Sequence, residues 1–125
     1  MSQLSAFFKP AGVAVIGASA DPHKLSYGVL RNCFSYGYAG HVYPVNPRAG
    51  EILGLPCYPD ISRVPDAVEL AVLMVPAAMC PGVLGACGQR GIKAAIVISG
   101  GFREVGPEGA ALEDDLLAVA RRHAM

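Results

Sequence analysis

A chain of 125 residues, 53% of them hydrophobic, can bury one apolar core without disulfide or metal staples and leaves little room for a second domain. Ten Lys and Arg balance ten Asp and Glu, which excludes the net basic face that nucleic acid or an anionic membrane requires but not a small anionic ligand, for which two or three local donors suffice. No apolar run reaches the roughly 18–20 residues of a membrane span, and the longest, Ala67 to Cys80, is broken by Glu69 and Pro76.

The opening Met1-Ser2-Gln3-Leu4 lacks the charged-then-apolar layout of a secretory signal, so the expected compartment is the cytoplasm. Cys33, Cys57, Cys80 and Cys87 form no C-x-x-C pair and no zinc-spaced set with histidine; in that compartment they are expected to be reduced thiols, and no metal site is expected. Cys80 and Cys87 lie seven apart and would share one helix face.

In chain order, Gly12-Val13-Ala14-Val15-Ile16-Gly17 is a short β-branched run ending in glycine and predicts a buried strand. Ala18 to Leu25 predicts a loop. A helix is expected from Ser26, as N-cap, to Tyr36, with Val29, Leu30, Cys33 and Phe34 at helical spacing and Gly37 closing it. His41-Val42-Tyr43-Pro44-Val45 predicts a second strand whose proline suits an edge or a strand end better than a centre. Asn46-Pro47-Arg48-Ala49-Gly50 reads as a turn, Ile52 to Tyr58 as a small extension and Pro59 to Pro65 as a connector. Leu70 to Val75 predicts the third strand, stopped by Pro76, and Met79 to Arg90 a helix with Pro81 in its first turn. Ala94 to Ile98 is the fourth strand, Ser99 to Phe102 a tight loop, and Pro107 to His123 the last helix. That helix carries the stripe Leu112, Leu116, Val119, Ala120, with Asp114, Asp115, Arg121 and Arg122 facing water. Apolar strands alternating with helices predict an α/β, Rossmann-like, doubly wound and mainly parallel sheet with helices on both faces. Such a fold usually adds another strand after its last helix, so a longer chain is expected.

Ligands of open parallel sheets lie beyond the carboxyl ends of the strands. Those ends are Gly17-Ala18-Ser19, Asn46-Pro47-Arg48, Val75-Pro76-Ala77 and Ser99-Gly100-Gly101-Phe102. At the first, Gly17 allows close backbone approach and free amides would meet phosphate oxygens, with Lys24 as a positive point charge. The dinucleotide fingerprint G-x-G-x-x-G is absent: Ser19 and Pro22 stand at its second and third glycines. Gly28 suits close approach of the helix to the sheet or to a ligand. At the second, Asn46-Pro47-Arg48 stands where NAD sites use an acidic residue on the ribose, and Arg48 would attract a ribose phosphate, which CoA and NADP carry and NAD does not, or would simply face solvent. Val75-Pro76 offers an apolar wall or only a strand stop, and Phe102 a ligand wall or only core. His23, His41 and His123 are scattered, and no nucleophile has a base partner, so no catalytic residue is assigned.

Val13 to Ser19 followed by Pro22, Lys24 and Gly28 resembles the opening of the CoA-binding domain of NDP-forming acyl-CoA synthetases. Gly37-Tyr38-Ala39-Gly40 with Val42 to Arg48 is a second matching block. Leu70-Ala71-Val72 with Val75-Pro76-Ala77 is a third, and Gly91-Ile92-Lys93 with Ile98 to Phe102 and Glu104 a fourth. The chain is similar in order over essentially its whole length, nearer to ADP-forming acetate–CoA ligases than to the α subunit of succinyl-CoA synthetase. The resemblance implies a Rossmann-like domain, residues 1–125, that holds coenzyme A or acyl-CoA at Gly17, Ala18, Ser19, Lys24, Gly28, Val45, Asn46, Pro47, Arg48, Val75, Pro76, Ile98, Ser99, Gly100, Gly101 and Phe102. In that family a separate domain carries a phosphorylated histidine, an ATP-grasp part binds the nucleotide, and an acyl phosphate meets the CoA thiol. ATP or ADP and Mg would therefore belong to remaining ligase domains or subunits, and this chain would be a catalytically incomplete N-terminal piece. The family's next block, a strand leading into Gly-Pro-Asn-Cys, would follow His123. Two alternatives stand beside it: a CoA-binding regulatory module, for example fused to a protein acetyltransferase, and an NAD(P)-binding oxidoreductase domain, which the missing fingerprint and Asn46 disfavour.

Overall fold

The computed structural model describes residues 4–35, 37–48 and 50–125, built around a four-stranded parallel sheet whose strands lie in the spatial order His41–Val45, Gly12–Ile16, Leu70–Leu73, Ala94–Val97. Met1 to Gln3, Tyr36 at the expected helix end, Ala49 of the expected turn and the side chain of Phe34 lie outside the described residues. A short α1 (Ser5–Phe8) precedes β1 (Gly12–Ile16), α2 (Leu25–Ser35) and β2 (His41–Val45). A hairpin of β3 (Glu51–Ile52) and β4 (Leu55–Pro56) and a 3₁₀ turn, Ile61–Arg63, lead to β5 (Leu70–Leu73). A second 3₁₀ turn, Ala77–Met79, runs into α3 (Cys80–Gln89), then come β6 (Ala94–Val97), a third 3₁₀ turn, Arg103–Val105, and α4 (Pro107–Arg122).

The period-2 alternation of the strands sorts their side chains onto two faces. Val13, Val15, Val42, Leu70, Val72 and Ala94 bury against Leu30 of α2. Ala14, Ile16, Tyr43, Val45, Ala71 and Leu73 bury against Leu84 and Cys87 of α3 and against the expected stripe of α4, Leu112, Leu116, Val119 and Ala120. Each fully buried Val, Leu or Ile among them contributes on the order of 1.5–3 kcal/mol. The helices therefore cover both faces, as the continuous apolar strands of a parallel sheet demand. Cys80 and Cys87 share the buried face of α3, and all four cysteines are free.

Pro44 sits in an edge strand. Alternate residues of β2 turn their backbone groups toward β1: His41 donates to Ala11 O at 3.0 Å and Val45 O accepts from Gly17 at 2.9 Å. Pro44 faces outward, so its missing N–H costs no ladder bond, and its carbonyl accepts from Tyr58 at 2.9 Å.

Three details depart from expectation. Ser26 is not an N-cap: α2 begins at Leu25 and Ser26 lies within it, buried. The turn at Asp21, whose carbonyl accepts from Lys24 N at 3.0 Å, brings the chain into helical geometry two residues before the start that an N-cap at Ser26 implies. β1, β5 and β6 end at Ile16, Leu73 and Val97, short of the expected Gly17, Val75 and Ile98. The extension expected at Ile52 to Tyr58 begins one residue earlier, at Glu51, and forms the β3–β4 hairpin, closed by Leu53 and Gly54, both at positive φ as a two-residue hairpin turn needs.

Candidate functional site

The chain leaves β1 toward α2 on one face of the sheet and leaves β5 toward α3 on the other, which opens a crevice beyond the carboxyl ends of these neighbouring strands. All four expected loops lie along this rim, with hydrogen bonds between the second and the first and between the fourth and the third, and close packing between the first and the end of β5. Asn46, after β2, donates from Nδ2 to Ala18 O after β1 at 2.7 Å. The Gly17 and Ala18 amides donate to Val45 O at 2.9 and 3.2 Å. Gly17 takes φ +90°, and any Cβ there would strike the Met74 carbonyl at the end of β5. Ser99, after β6, donates from Oγ to Val75 O at 2.6 Å, and Cys80 Sγ stands 3.8 Å from the same hydroxyl oxygen. Burial raises the Cys80 thiol above its ordinary pKa, so it remains protonated at neutral pH.

These bonds correct the expected donors. The Gly17 and Ala18 amides are not free: both are spent on Val45 O. Among the described residues, the unspent backbone donors of the first loop are Ser19 and Ala20. The first amides of α2, Leu25 to Tyr27, also have no acceptor within the helix. Ser19 Oγ accepts from Asp21 N at 3.0 Å and Asp21 Oδ1 from His23 N at 2.9 Å, so two polar side chains hold this loop in shape. In the second loop, Asn46 Oδ1 accepts from Arg48 N at 2.8 Å, which fixes the turn through Pro47 and leaves the Arg48 side chain exposed.

The fourth loop differs most. Gly101, at φ +108°, and Phe102 turn their amides toward one point, as an anion-binding nest does. That point is filled by Glu104, whose Oε1 lies 2.6 Å from Gly101 N and 3.1 Å from Phe102 N. Gly101 N–H, foremost among these donors, holds the Glu104 carboxyl below the ordinary glutamate range. Phe102 is 8% exposed and belongs to the core under α3 and α4, so its ring is not a free ligand wall. The sequence carried a signal for this closure, an acid three residues after a Gly-Gly pair, but not its geometry. Of the two roles expected of Gly28, approach to the sheet is excluded: a Cβ there meets nothing within 4 Å, which leaves the space open to a ligand.

Lys24 and Arg48 are exposed on the rim, and neither carries an ion pair; among the described residues the ion pairs are those of Arg103 with Glu113 and Asp114. Lys24 precedes α2, whose first turn holds no acidic residue. A cation at the positive end of a helix without an acid in the first turn is suited to an incoming anion. No helix is long and apolar enough to cross a membrane, and no group of three or more metal-ligating side chains occurs among the described residues.

A family model described as CoA binding domain matches residues 11–125. The α subunit of ADP-forming acetate–CoA ligase I of Pyrococcus furiosus is 45% identical over 126 residues, which cover 98% of this chain and 27% of that protein. ADP-forming acetate–CoA ligase II of Archaeoglobus fulgidus is 45% identical over 116 residues, 93% of this chain and 17% of that one. Among solved structures, the apo form of the dinucleotide-forming acetyl-coenzyme A synthetase 1 of Ca. Korarchaeum cryptofilum superposes with TM-score 0.92 at 48% identity, over 98% of this chain and 26% of that one. The chain thus spans about a quarter or less of the curated relatives it matches.

Proposed function

The chain belongs to the CoA-binding domain family, and from that premise we propose that its sheet rim holds coenzyme A for an ADP-forming acid–CoA ligase, presenting the thiol to an acyl phosphate. The observation that carries this is Lys24, which makes no ion pair, just before α2, whose first turn holds no acid. In this reading the pyrophosphate lies against the Ser19 and Ala20 amides and the first turn of α2, with Lys24 as counter-charge. The Asn46 turn aims Arg48 at the ribose 3′-phosphate, and Val45 and Pro47 frame that loop. Val75, Pro76 and Ile98 give the pantetheine arm an apolar edge. Bound CoA supplies the thiol nucleophile; this chain supplies position and charge neutralisation, and no residue of it takes part in proton transfer.

Of the fourth loop, Ser99 and Gly101 contribute by shaping the rim, since the Ser99 hydroxyl and the Gly101 amide are already bonded, while the Gly100 amide is unspent. The nucleotide and Mg would be handled by other ligase parts, in keeping with the share of the relatives that this chain spans. Four free cysteines agree with a cytoplasmic setting.

Calorimetric titration with CoA, dephospho-CoA and NADPH tests the proposal. CoA is expected to bind, and Arg48→Ala to weaken CoA by roughly 1–3 kcal/mol, as a charge-assisted bond implies, with a smaller loss for dephospho-CoA. Binding of NADPH without CoA would overturn the cofactor assignment. Equal losses for CoA and dephospho-CoA would detach Arg48 from the 3′-phosphate.

A further inference from the structure

Charge is distributed unevenly along the rim. Lys24 and Arg48, at the first and second loops, are cations without an ion pair among the described residues, and the first turn of α2 holds no acid. At the fourth loop one cation stands against three carboxylates. Arg103 is shared between Glu113 at 2.8 Å and Asp114 at 3.0 Å, and Glu104 makes no ion pair. The helix that starts from this loop, α4, carries a further acid, Glu108, in its first turn. The strands lie in the order β2, β1, β5, β6, so the loops follow as second, first, third, fourth, with cations at one end and acids at the other.

Glu104 is fixed at the acidic end. The Gly101 and Phe102 amides donate to its Oε1, so the side chain lies back over the loop. A Cβ on Gly100 would stand 3.8 Å from that oxygen, and one on Gly101 would stand 3.2 Å from Ala77 Cβ in the third loop. The carboxylate is therefore held on the fourth loop, directly beside the third. The two amides also keep it ionised at neutral pH.

With the 3′-phosphate of CoA at the second loop and its pyrophosphate at the first, the pantetheine arm crosses the third loop and the thiol end reaches the fourth. We propose that Glu104 selects the acyl group by charge: an acyl chain on the thiol emerges beside a fixed carboxylate, so the rim takes uncharged acyl groups of monocarboxylic acids and rejects those that carry a second carboxylate. This rests on the CoA reading, which sets the direction of the cofactor along the rim.

Thioethers of CoA whose propyl chain ends in a methyl, a carboxylate or an ammonium group test it, by calorimetric titration of the whole chain. The carboxylate-ended ligand should bind about fivefold more weakly than the methyl-ended one, as like charges several ångströms apart beside water imply, and the ammonium-ended one no more weakly. Glu104→Gln, which keeps an acceptor for both amides, should close that gap, whereas a mere loss of loop shape would weaken all three ligands alike. Added salt should narrow the gap in the unaltered chain. Equal binding of the methyl- and carboxylate-ended ligands, equal weakening by the ammonium group, or a gap that persists in Glu104→Gln would overturn the role of Glu104 and leave the CoA reading standing. Failure of both CoA and the methyl-ended ligand to bind would overturn that reading and this inference together.

Discussion

Gly28→Ala separates stability from ligand binding at one position. Gly28 is the fourth residue of α2, in regular helical backbone, and an added Cβ meets open space. Glycine inside a helix costs about 0.5–1 kcal/mol relative to alanine, because it gives up more backbone freedom on folding. With no clash to offset the gain, Gly28→Ala should stabilise the apo chain by about that amount, which for a domain of this size raises the melting temperature by roughly 2–4 °C. The same methyl would stand one helical turn from Lys24, where the proposal seats the CoA pyrophosphate. Filling that space should weaken CoA, and a tenfold loss corresponds to about 1.4 kcal/mol. Thermal unfolding with and without saturating CoA reads both effects: the variant should melt higher when empty and gain less from CoA. A lower melting temperature for the empty variant would refute the open space beside α2. Higher stability with undiminished CoA affinity would show that glycine serves no ligand there.

Glu104 should titrate below the ordinary glutamate value of 4.5, because the unfolded chain lacks the Gly101 and Phe102 amides that hold its charged form. Its contribution is thus present at neutral pH and lost as pH falls through the lowered folded value. The Gly101 and Phe102 amide resonances should report that midpoint, and a midpoint at or above 4.5 would disprove the nest. Tyr43, buried and donating to Asp66, is pushed up to about 12 from the ordinary 10. The folded state then holds a proton the unfolded state releases, so stability should decline between pH 10 and pH 12. Tyr43→Phe should flatten that alkaline limb in denaturant titrations, and an unchanged limb would remove Tyr43 as its source.

Local patterning alone determined the α/β class, the four core strands, the three long helices, the α4 stripe and the unsuitability of the proline strand for the centre of the sheet. These follow from which residues must be buried and which backbone bonds proline cannot make. The rim was legible as well, since strand ends that need turn residues declare themselves in Gly17, Asn46, Pro76 and Gly100. Tertiary structure decided which of the rim's donors remain available. The Gly17 and Ala18 amides reach Val45 only because β1 and β2 are neighbours, and Phe102 joins the core only because α3 and α4 close over it. Such bonds join residues far apart in the chain, so their partners are fixed by strand order and helix packing and have no counterpart in any local run of sequence.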